Sequence, residues 1–383
     1  MRELLTGLIG PPGWRAQGRR WALARVIDVE GSGPREPGAA MAVSEDGEVL
    51  GSVSGGCVEG AVVQAALEVI SGGAARFVSF GYSEEDAFAV GLTCGGTVHL
   101  LIQPGDQLSG SDRLLDAVRE GQPAALITVV ELATDGGGRL GATALLRPGR
   151  PLVGSLGNAE LDRVVARDAE AELAVGSSRV RHYGLRGEAR RSDVSVFVHS
   201  FSPPARMIIF GAVDFAAALS QVASVLGFRV ILCDARERFA TKARFPFADE
   251  VVVDWPHRLL GRIGSTLTAR DAVCVLTHEA RFDVPAVLAA VSTPVGYLGA
   301  MGSRRTHDDR MARLRAAGAD EASLARLNSP IGLDLGARTP EETAVSICAE
   351  IIARRAGVEV VQSLGRVEGP IHQRVRLVRA GGE

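Results

Sequence analysis

A spacing of 103 residues recurs in the first half of the chain and constrains how that half can fold. The paired segments are residues 23–30 and 126–132, both strand-like, and residues 50–53 and 153–156. With a gap of two residues, the stretch 56–59 then aligns with 157–160. Each copy predicts a strand, a turn, a strand pair, a glycine turn and a helix. Residues 1–200 are therefore predicted to form an α+β domain of two similar halves that pack together.

A different pattern begins after Pro203 and Pro204, a proline pair that interrupts regular structure. Continuous apolar runs, typical of buried parallel strands, alternate there with helical patterns. The strand-like runs are residues 206–211, 229–234, 250–254, 271–277 and 295–299, and the helical ones are 212–226, 285–291, 308–317 and 340–356. Thr339 is predicted to cap the last helix. The fold class is thus α/β, with a Rossmann-like doubly wound parallel sheet over residues 201–357 and a tail at 358–383.

Size, charge and cysteine usage exclude several classes of protein. At 383 residues the chain is too long for one ordinary core. A net charge of −3 without a long basic stretch argues against nucleic acid as the main partner. No apolar run approaches the roughly 18 residues that cross a bilayer, and the N-terminus does not resemble a secretory signal. Five cysteines, an odd and small number, argue against a disulfide framework, so a protein of the reducing cytoplasm is expected.

Two of the five cysteines lie in glycine-rich turns. Cys57 follows Gly55 and Gly56 and precedes a predicted helix, and Cys94 is followed by two glycines. Glycines leave room for a ligand and a helix N-terminus favours a thiolate, so Cys57 is predicted to contact a soft metal or a sulfur atom. A cysteine packed in a tight turn is the alternative at both positions. Glu59, in the first turn of that helix, is interpreted either as an acid that bonds back to the turn or as a proton relay. The other cysteines lie in apolar runs and are predicted to be buried: Cys233, Cys274 and Cys348.

The outline of a dinucleotide site follows the proline pair. Gly211 ends a predicted strand, and Asp234 ends the next strand 23 residues later, near the spacing expected for a ribose-binding carboxylate. Val213 replaces the glycine that lets the backbone approach a pyrophosphate, and Asp214 adds a negative charge. Both changes oppose binding of NAD(P) or FAD, so a Rossmann-like domain with reduced or lost nucleotide affinity is one interpretation. An NAD(P)-dependent oxidoreductase that uses Asp234, with His278 as acid or base, is the alternative.

A second glycine-rich turn leaves a predicted strand at residues 299–302 and enters a predicted helix. Gly302, Ser303, Arg304 and Arg305 converge there. A helix start with a hydroxyl and two guanidinium groups suits an anion such as a phosphate. The alternative is that Ser303 caps the helix while the arginines pair with surface acids.

These segments together resemble the xanthine dehydrogenase accessory family, also called XdhC/CoxI, over residues 31–357. The motifs that carry the resemblance are GSGPREPGA (31–39), GSVSGGCVEG (51–60), CGG (94–96), YLGAMGSRR (297–305) and SPIGLDLGARTPE (329–341). The resemblance implies a chaperone that binds molybdenum cofactor, as molybdopterin or its dinucleotide form, and supports its sulfuration by a cysteine desulfurase. It also implies insertion of the cofactor into a molybdenum hydroxylase apoenzyme of the xanthine or carbon monoxide dehydrogenase type. The family usually has a glycine and a histidine at positions 213 and 214.

The resemblance and the residues together favour a non-catalytic cofactor chaperone over an enzyme. The expected cofactor-binding residues are Cys57, Cys94, Gly55, Gly56, Gly211, Asp234, Gly302, Ser303, Arg304 and Arg305, with Cys57 as the contact to molybdenum or sulfur. A homodimer is also expected, because an open Rossmann-like crevice could bury the cofactor against a second copy of the chain. A third interpretation is a structural partner of the dehydrogenase in which both sites are inert.

Overall fold

The computed structural model describes residues 2–10, 13–31, 33, 35–81, 96–133 and 138–367. Cys94 is therefore outside the described residues. The chain divides into two compact units, one of residues 1–203 and 363–383 and the other of residues 204–362. Within the described ranges, no helix is both long and apolar enough to cross a membrane.

The first unit contains two five-stranded antiparallel sheets, each packed against a long helix. The strands of the first sheet are β1 (Trp21–Glu30), β2 (Ala40–Ser44), β3 (Val49–Gly51), β4 (Arg76–Phe80) and β5 (Thr97–Pro104). Helix α1 (Arg2–Ile9) precedes β1, helix α2 (Glu59–Gly72) lies between β3 and β4, and a 3₁₀ turn at Gly105–Gln107 follows β5. The strands lie in the order β3-β2-β1-β5-β4. Helix α2 lies on this sheet because its apolar face, which includes Val62 and Ala66, packs against Val26 and Leu100.

The second sheet repeats the first. Its elements are α3 (Ser111–Arg119), β6 (Ala124–Leu132), β7 (Thr143–Leu146), β8 (Val153–Gly154), α4 (Ala159–Val175), β9 (Arg179–Tyr183) and β10 (Val194–Phe201). The strand order β8-β7-β6-β10-β9 matches that of the first sheet, with α4 in the place of α2. The predicted internal repeat is therefore confirmed.

The predicted two-residue gap between the repeats is wrong. The spacing of 103 residues continues through the helices, where buried residues and helix ends coincide. The equivalent pairs are Val58 and Leu161, Val62 and Val165, Ala66 and Ala169, and the left-handed glycines Gly73 and Gly176. Helix α4 begins three residues before the position equivalent to the start of α2, because the Asn158 side chain accepts a hydrogen bond from the Leu161 N–H (2.9 Å) and caps an extra turn. Cys57 consequently corresponds to Glu160, not to Asn158.

The two sheets meet through equivalent positions of the repeats. Arg25 on β1 and Thr128 on β6 are 103 residues apart, and the Arg25 guanidinium donates to the Thr128 hydroxyl at 2.8 Å. Arg25 also donates to the Gln103 side chain at 2.5 Å and is fully buried. Ile27, Leu101, Val130 and Phe197 pack in one cluster between the sheets. The first unit is therefore a pair of similar halves packed face to face, as the repeat predicts.

The second unit is a parallel six-stranded sheet with helices on both faces. Its strands are β11 (Arg206–Phe210), β12 (Arg229–Asp234), β13 (Glu250–Val253), β14 (Ala272–Val275), β15 (Tyr297–Ala300) and β16 (Leu327–Asn328). Its helices are α5 (Asp214–Val225), α6 (Pro256–Ile263), α7 (Ala280–Val291), α8 (Arg304–Ala316), α9 (Glu321–Leu324) and α10 (Pro340–Arg355), and it has a 3₁₀ turn at Gly264–Thr266. A further 3₁₀ turn, Leu364–Arg366, lies after this unit in a segment that belongs to the first unit. The strand order β13-β12-β11-β14-β15-β16 confirms a doubly wound sheet.

Alternate residues of β11 are buried in two different cores. Met207 and Ile209 pack on the side of α5 and α10, and Ile208 and Phe210 on the side of α6, α7 and α8. This double burial explains why the strands are continuously apolar. Two helices begin earlier than predicted: α7 at residue 280 instead of 285, with the proline inside it, and α8 at 304 instead of 308. The cap of α10 is as predicted, since the Thr339 hydroxyl accepts from the Glu342 N–H in a capping box.

Candidate functional site

The segment between β3 and α2 closes around the carboxylate of Glu59. This carboxylate accepts hydrogen bonds from the backbone N–H groups of Ser54 (2.9 Å), Gly55 (3.0 Å) and Gly56 (2.8 Å). It also accepts from the hydroxyl groups of Ser52 (2.7 Å) and Ser54. Residues 52–58, here called the Cys57 loop, are therefore built around an internal anion.

The buried hydroxyl of Ser54 completes this arrangement. It accepts hydrogen bonds from the N–H groups of Cys57 and Val58, both at 3.0 Å. Every backbone N–H from residue 54 to residue 58 is thus bonded to a side chain of the loop or to Glu59. The loop is complete without a ligand, and these N–H groups are not available to cradle an anion.

Glu59 remains ionised at neutral pH. Burial raises the pKa of Glu59, but the hydrogen bonds from Ser54 and Ser52 outweigh burial and lower the pKa to about 2. A carboxylate with this pKa does not exchange protons near neutrality, which argues against a proton relay. The interpretation of Glu59 as an acid that bonds back to the turn is confirmed.

The surface beside Cys57 is open. Cys57 is partly exposed and packs in part against the core under α2. Gly55 and Gly56 have φ angles of 81° and 124°, a region that favours glycine. A Cβ at either glycine would meet no described atom within 4 Å. The immediate surroundings of these two glycines are therefore free of other described atoms.

The second repeat keeps part of this arrangement but has no thiol. Asp162 takes the place of the first loop's glutamate and accepts from the Ser155 hydroxyl and the Leu156 N–H, both at 2.7 Å. Glu160, in the extra turn of α4, occupies the position of Cys57. The cysteine is thus a feature of the first repeat alone.

The other described cysteines are buried, as predicted. Cys233 and Cys274 have no exposed surface, and Cys348 is 3% exposed. Burial raises the pKa of Cys233 to about 12 and that of Cys348 to about 11, and it also raises the pKa of Cys274. These thiols are inert packing groups.

In the second unit, the turns after β11, β12, β14 and β15 share one edge of the sheet and form what is here called the crevice. Winding of the chain reverses between β11 and β14, and doubly wound sheets bind ligands at that point. Gly211 follows β11 with a φ of 112°, and a Cβ there would lie 2.7 Å from the Thr277 Cγ2. Gly211 therefore allows the turns after β11 and β14 to approach each other closely.

Asp234 ends β12, but its carboxylate is bonded within the unit. One oxygen accepts from the Ala212 N–H and from Arg236 Nη2, both at 2.7 Å. The other accepts from the Arg236 backbone N–H (2.8 Å) and from its Nε (2.9 Å). Burial raises the pKa of Asp234, but the bonds from Arg236 and Ala212 outweigh it, so the pKa is lowered. Asp234 thus fixes the turn after β11 and holds Arg236, with neither oxygen free for a ribose.

A guanidinium group lies beside the acid expected to repel phosphate. Asp214, the first residue of α5, is strongly exposed, and its carboxylate is 3.8 Å from Arg244 Nη2. Arg244 Nη1 donates to the carbonyl groups of Phe239 (3.2 Å) and Ala212 (3.5 Å). The sequence pattern did not identify Arg244, because it lies in the connection after β12, about 30 residues from the turn that it contacts.

The turn after β15 combines features of both interpretations made from the sequence. Ser303 caps α8, since its hydroxyl accepts from the Thr306 N–H at 3.2 Å. Arg304 and Arg305 are exposed in the first turn, and neither forms an ion pair with another described residue. Gly302 precedes the cap. An anion at Arg304 and Arg305 stays a prediction.

A buried ion pair beneath the crevice was not predicted. Arg310 Nη2 lies 3.0 Å from Asp283 Oδ2, and the two side chains are 3% and 4% exposed. Arg310 also donates to the Met301 carbonyl at 2.7 Å, and the Thr277 hydroxyl donates to Asp283. The pair therefore ties the turn after β14 to the turn after β15. Its one signal in the sequence is that Arg310 lies four residues before the buried Leu314, on the inner face of α8.

No cluster for a resident metal ion is evident in the part of the chain that the structure describes. No group of three or more His, Cys, Asp or Glu side chains there could hold a metal ion. A metal at Cys57 would therefore take its other ligands from a cofactor or from residues outside the described ranges.

Family models match most of the chain. Residues 207–351 match the XdhC Rossmann domain, and residues 14–81 and 117–184 each match the model of the XdhC and CoxI family. The second family match is displaced by 103 residues from the first, in agreement with the internal repeat and without a gap. Both units of the structure are thus represented.

Three individual proteins are similar over nearly their full lengths. A Bacillus subtilis protein named as a probable xanthine dehydrogenase subunit is 27% identical and covers 88% of this chain and 94% of its own. The molybdenum cofactor insertion chaperone PaoD of Escherichia coli is 25% identical, covering 88% of this chain and 84% of its own. A crystal structure of a xanthine dehydrogenase from Bacillus halodurans matches with a TM-score of 0.67 and 27% identity, over 95% of this chain and 98% of that one.

Proposed function

Because this chain belongs to the XdhC and CoxI family, we propose that it is an accessory chaperone for molybdenum cofactor. It holds the cofactor, supports its sulfuration, and delivers it to a molybdenum hydroxylase apoenzyme. The similarity to a protein named as a molybdenum cofactor insertion chaperone supports this cargo. The similarity to proteins named as xanthine dehydrogenase, or as one of its subunits, supports this class of client.

The observation that carries the proposal is the partly exposed thiol of Cys57 on a loop that needs no ligand for its own structure. A thiolate is a soft ligand, suited to a sulfur-bound metal or to a sulfur atom in transit. Gly55 and Gly56 carry no side chain, and no described atom lies within 4 Å of where a Cβ would stand, so the loop itself does not cover this side. Glu59 stays ionised and holds the loop while the thiol contacts the cargo. Cys94 is proposed as a second thiol that takes part in the same step.

The Cys57 loop offers no backbone site for a phosphate, since its N–H groups from residue 54 to residue 58 are already bonded. Taken by itself, the crevice of the second unit is proposed as a phosphate-binding site, with Gly211 and Asp234 shaping one turn and Gly302 and Ser303 the other. The exposed guanidinium groups of Arg304 and Arg305, at the N-terminus of α8, supply positive charge for the phosphate.

Three further features belong to the proposal. A cysteine desulfurase supplies the sulfur, because a sulfuration step requires a sulfur donor. A homodimer would enclose a cofactor bound at the crevice. A cytoplasmic location fits the small number of cysteines, three of which are buried as thiols.

Anaerobic equilibrium filtration with quantified molybdenum tests the proposal. Wild type is expected to bind molybdenum cofactor stoichiometrically, and Cys57→Ala is expected to lose most of the binding. The matched control is Glu160→Ala at the equivalent position of the second repeat, which should bind like wild type. Absence of cofactor binding by wild type would contradict the proposal. Equal binding by wild type and Cys57→Ala would contradict the role of the thiol.

The alternative, an NAD(P)-dependent oxidoreductase, rests on the topology of the second unit. A ribose at Asp234 would have to displace the hydrogen bonds from Arg236 and Ala212. Titration with NADH and NADPH separates the two functions. Tight binding of either nucleotide together with substrate turnover would favour the enzyme.

A further inference from the structure

The connection after β12 places two guanidinium groups and an exposed aromatic ring beside the Gly211 turn. The Arg236 Cζ lies 4.8 Å from the centroid of the Phe239 ring, and the Arg244 Cζ lies 5.5 Å from the same centroid. Phe239 is 46% exposed, so its ring is accessible from solvent. An accessible ring among arginines is a surface on which planar aromatic ligands stack.

Both arginines are held in place by other groups of the unit. Arg236 uses Nε and Nη2 on the two oxygens of Asp234, which directs its remaining Nη1 away from the carboxylate. Arg244 is held by the carbonyl groups of Ala212 and Phe239. Guanidinium groups fixed in this way lose little conformational freedom when they bind an oxyanion.

The neighbouring acids are already engaged by arginines. Asp234 is paired with Arg236, and Asp214 is near Arg244 at 3.8 Å. Glu279, from the turn after β14, faces Arg236 but is paired with Arg281 at 2.7 Å. Each of these carboxylates is therefore matched by an arginine, and a further anion would be bound through guanidinium N–H groups that no carboxylate engages, such as Nη1 of Arg236.

We propose that Arg236, Phe239 and Arg244 form a subsite for a phosphate group carried by an aromatic ligand. The guanidinium groups bind the phosphate, and the aromatic part of the ligand stacks on Phe239 or on a guanidinium plane. The inference rests on the proposed function and refines it, since a phosphate-bearing pterin has this chemistry and its phosphate would lie here instead of at Arg304 and Arg305. A 2′-phosphorylated adenine nucleotide has it as well. An unphosphorylated ribose does not, because Asp234 offers no free oxygen to its hydroxyl groups.

Calorimetric titration of the full chain with 2′,5′-ADP, adenosine and inorganic phosphate tests the subsite. Wild type is expected to bind 2′,5′-ADP at least about tenfold more tightly than either adenosine or phosphate, because only this probe uses the guanidinium groups and the ring together. Arg244→Gln and Phe239→Ala should each weaken binding of 2′,5′-ADP by about fivefold or more. Arg315→Gln, a change to an exposed arginine at the other end of α8, should have no effect.

The same titration separates this inference from the proposed function. Cys57→Ala should bind 2′,5′-ADP like wild type, whatever its affinity for molybdenum cofactor. Displacement of 2′,5′-ADP by molybdenum cofactor would identify the pterin phosphate as the occupant, and displacement by NADP⁺ alone would identify a nucleotide. No binding of 2′,5′-ADP by wild type at millimolar concentration, or binding that survives both substitutions, would overturn the subsite. Thermal unfolding of each variant confirms that the sheet is intact, and Phe239→Ala changes only an exposed side chain.

Discussion

At the scale of single residues, the charge of Glu59 is the main constraint on the Cys57 loop. Its carboxylate accepts five hydrogen bonds, three from backbone N–H groups and two from hydroxyl groups. A glutamine at this position would offer one acceptor oxygen and would point an NH₂ group at N–H donors. The shape of the loop beside the thiol therefore depends on an ionised acid at position 59.

Glu59→Gln is expected to lower the free energy of unfolding of the first unit by roughly 2–3 kcal/mol at neutral pH. The reason is that the folded-state pKa of Glu59, about 2, lies below its ordinary value of 4.5. A lowered carboxyl pKa stabilises the fold above the ordinary value, and this stabilisation is lost as the pH falls through the folded-state pKa. The difference between wild type and variant should be constant above about pH 5.5 and shrink between about pH 4.5 and 2. Urea unfolding at a series of pH values measures it.

Asp162→Asn is the matched control for this change, because Asp162 holds the corresponding position in the second repeat with only two hydrogen bonds. Asp162→Asn should lower the free energy of unfolding of the first unit by clearly less than Glu59→Gln does. Equal costs in the two variants, or a cost of Glu59→Gln that does not depend on pH, would show that the internal anion does not stabilise the loop as described.

At the scale of secondary structure elements, local patterns predicted most of the fold. The apolar runs around residues 207 and 231 identified buried parallel strands because both faces of each strand are covered by helices. The periodic pattern placed the start of α8 four residues late because its first turn, with Arg304 and Arg305, is polar throughout, whereas the interpretation of Ser303 as the helix cap gives the observed start. A gap was predicted because similar letters, Gly-x-x-Glu, occur at the start of both helices but two residues out of register, with Glu59 as the first residue of α2 and Glu160 as the second residue of α4.

Two glycines four residues apart, Gly56 in the Cys57 loop and Gly60 in α2, test where the loop ends and the helix begins. Gly56→Ala should destabilise the first unit by about 1–3 kcal/mol, because the φ of 124° is costly for any side chain although the space is open. Gly60→Ala, inside α2 and with no described atom near its Cβ, should instead stabilise it by up to about 1 kcal/mol. Thermal unfolding of both variants measures the contrast. A loss in Gly60→Ala as large as in Gly56→Ala would mean that residue 60 does not have helical geometry.

At the scale of the whole molecule, residues at the ends of helices and strands could be predicted from the sequence, but side chains that bond distant segments to each other could not. The positions of Cys57, Gly211 and Ser303 in turns between elements could be predicted because each one follows a recognisable local pattern. The bonds of Arg310 to Asp283 and of Arg244 to the Gly211 turn join segments about 30 residues apart. Such pairs depend on the order of strands in the sheet, and no local pattern encodes that order.

The two repeats of the first unit show how a symmetric scaffold acquires a single thiol. Both repeats keep the strand order, the helix and an acid that bonds back to the preceding turn. Only the first repeat replaces one turn of helix by a glycine loop with a cysteine, while the second has Asn158 as a helix cap and Glu160 inside the helix. The symmetry of the scaffold can therefore be retained while one copy is specialised, and the second copy serves as an internal control.

Delivery of cofactor by the whole molecule is expected to depend on this one specialised loop. In cells that produce a dependent molybdenum hydroxylase, replacing wild type by Cys57→Ala should lower the molybdenum content of the purified hydroxylase by about tenfold or more, because loss of a group that only supports a metal ligand already costs roughly 10–100-fold in metal affinity. Glu160→Ala changes the equivalent position in a repeat without a thiol, so hydroxylase from those cells should carry molybdenum at the wild-type level. Molybdenum analysis and specific activity of the hydroxylase measure both. If the content fell equally in the two variants, the cause would lie in the stability of the first unit, and if it fell in neither, the thiol of Cys57 would have no part in delivery.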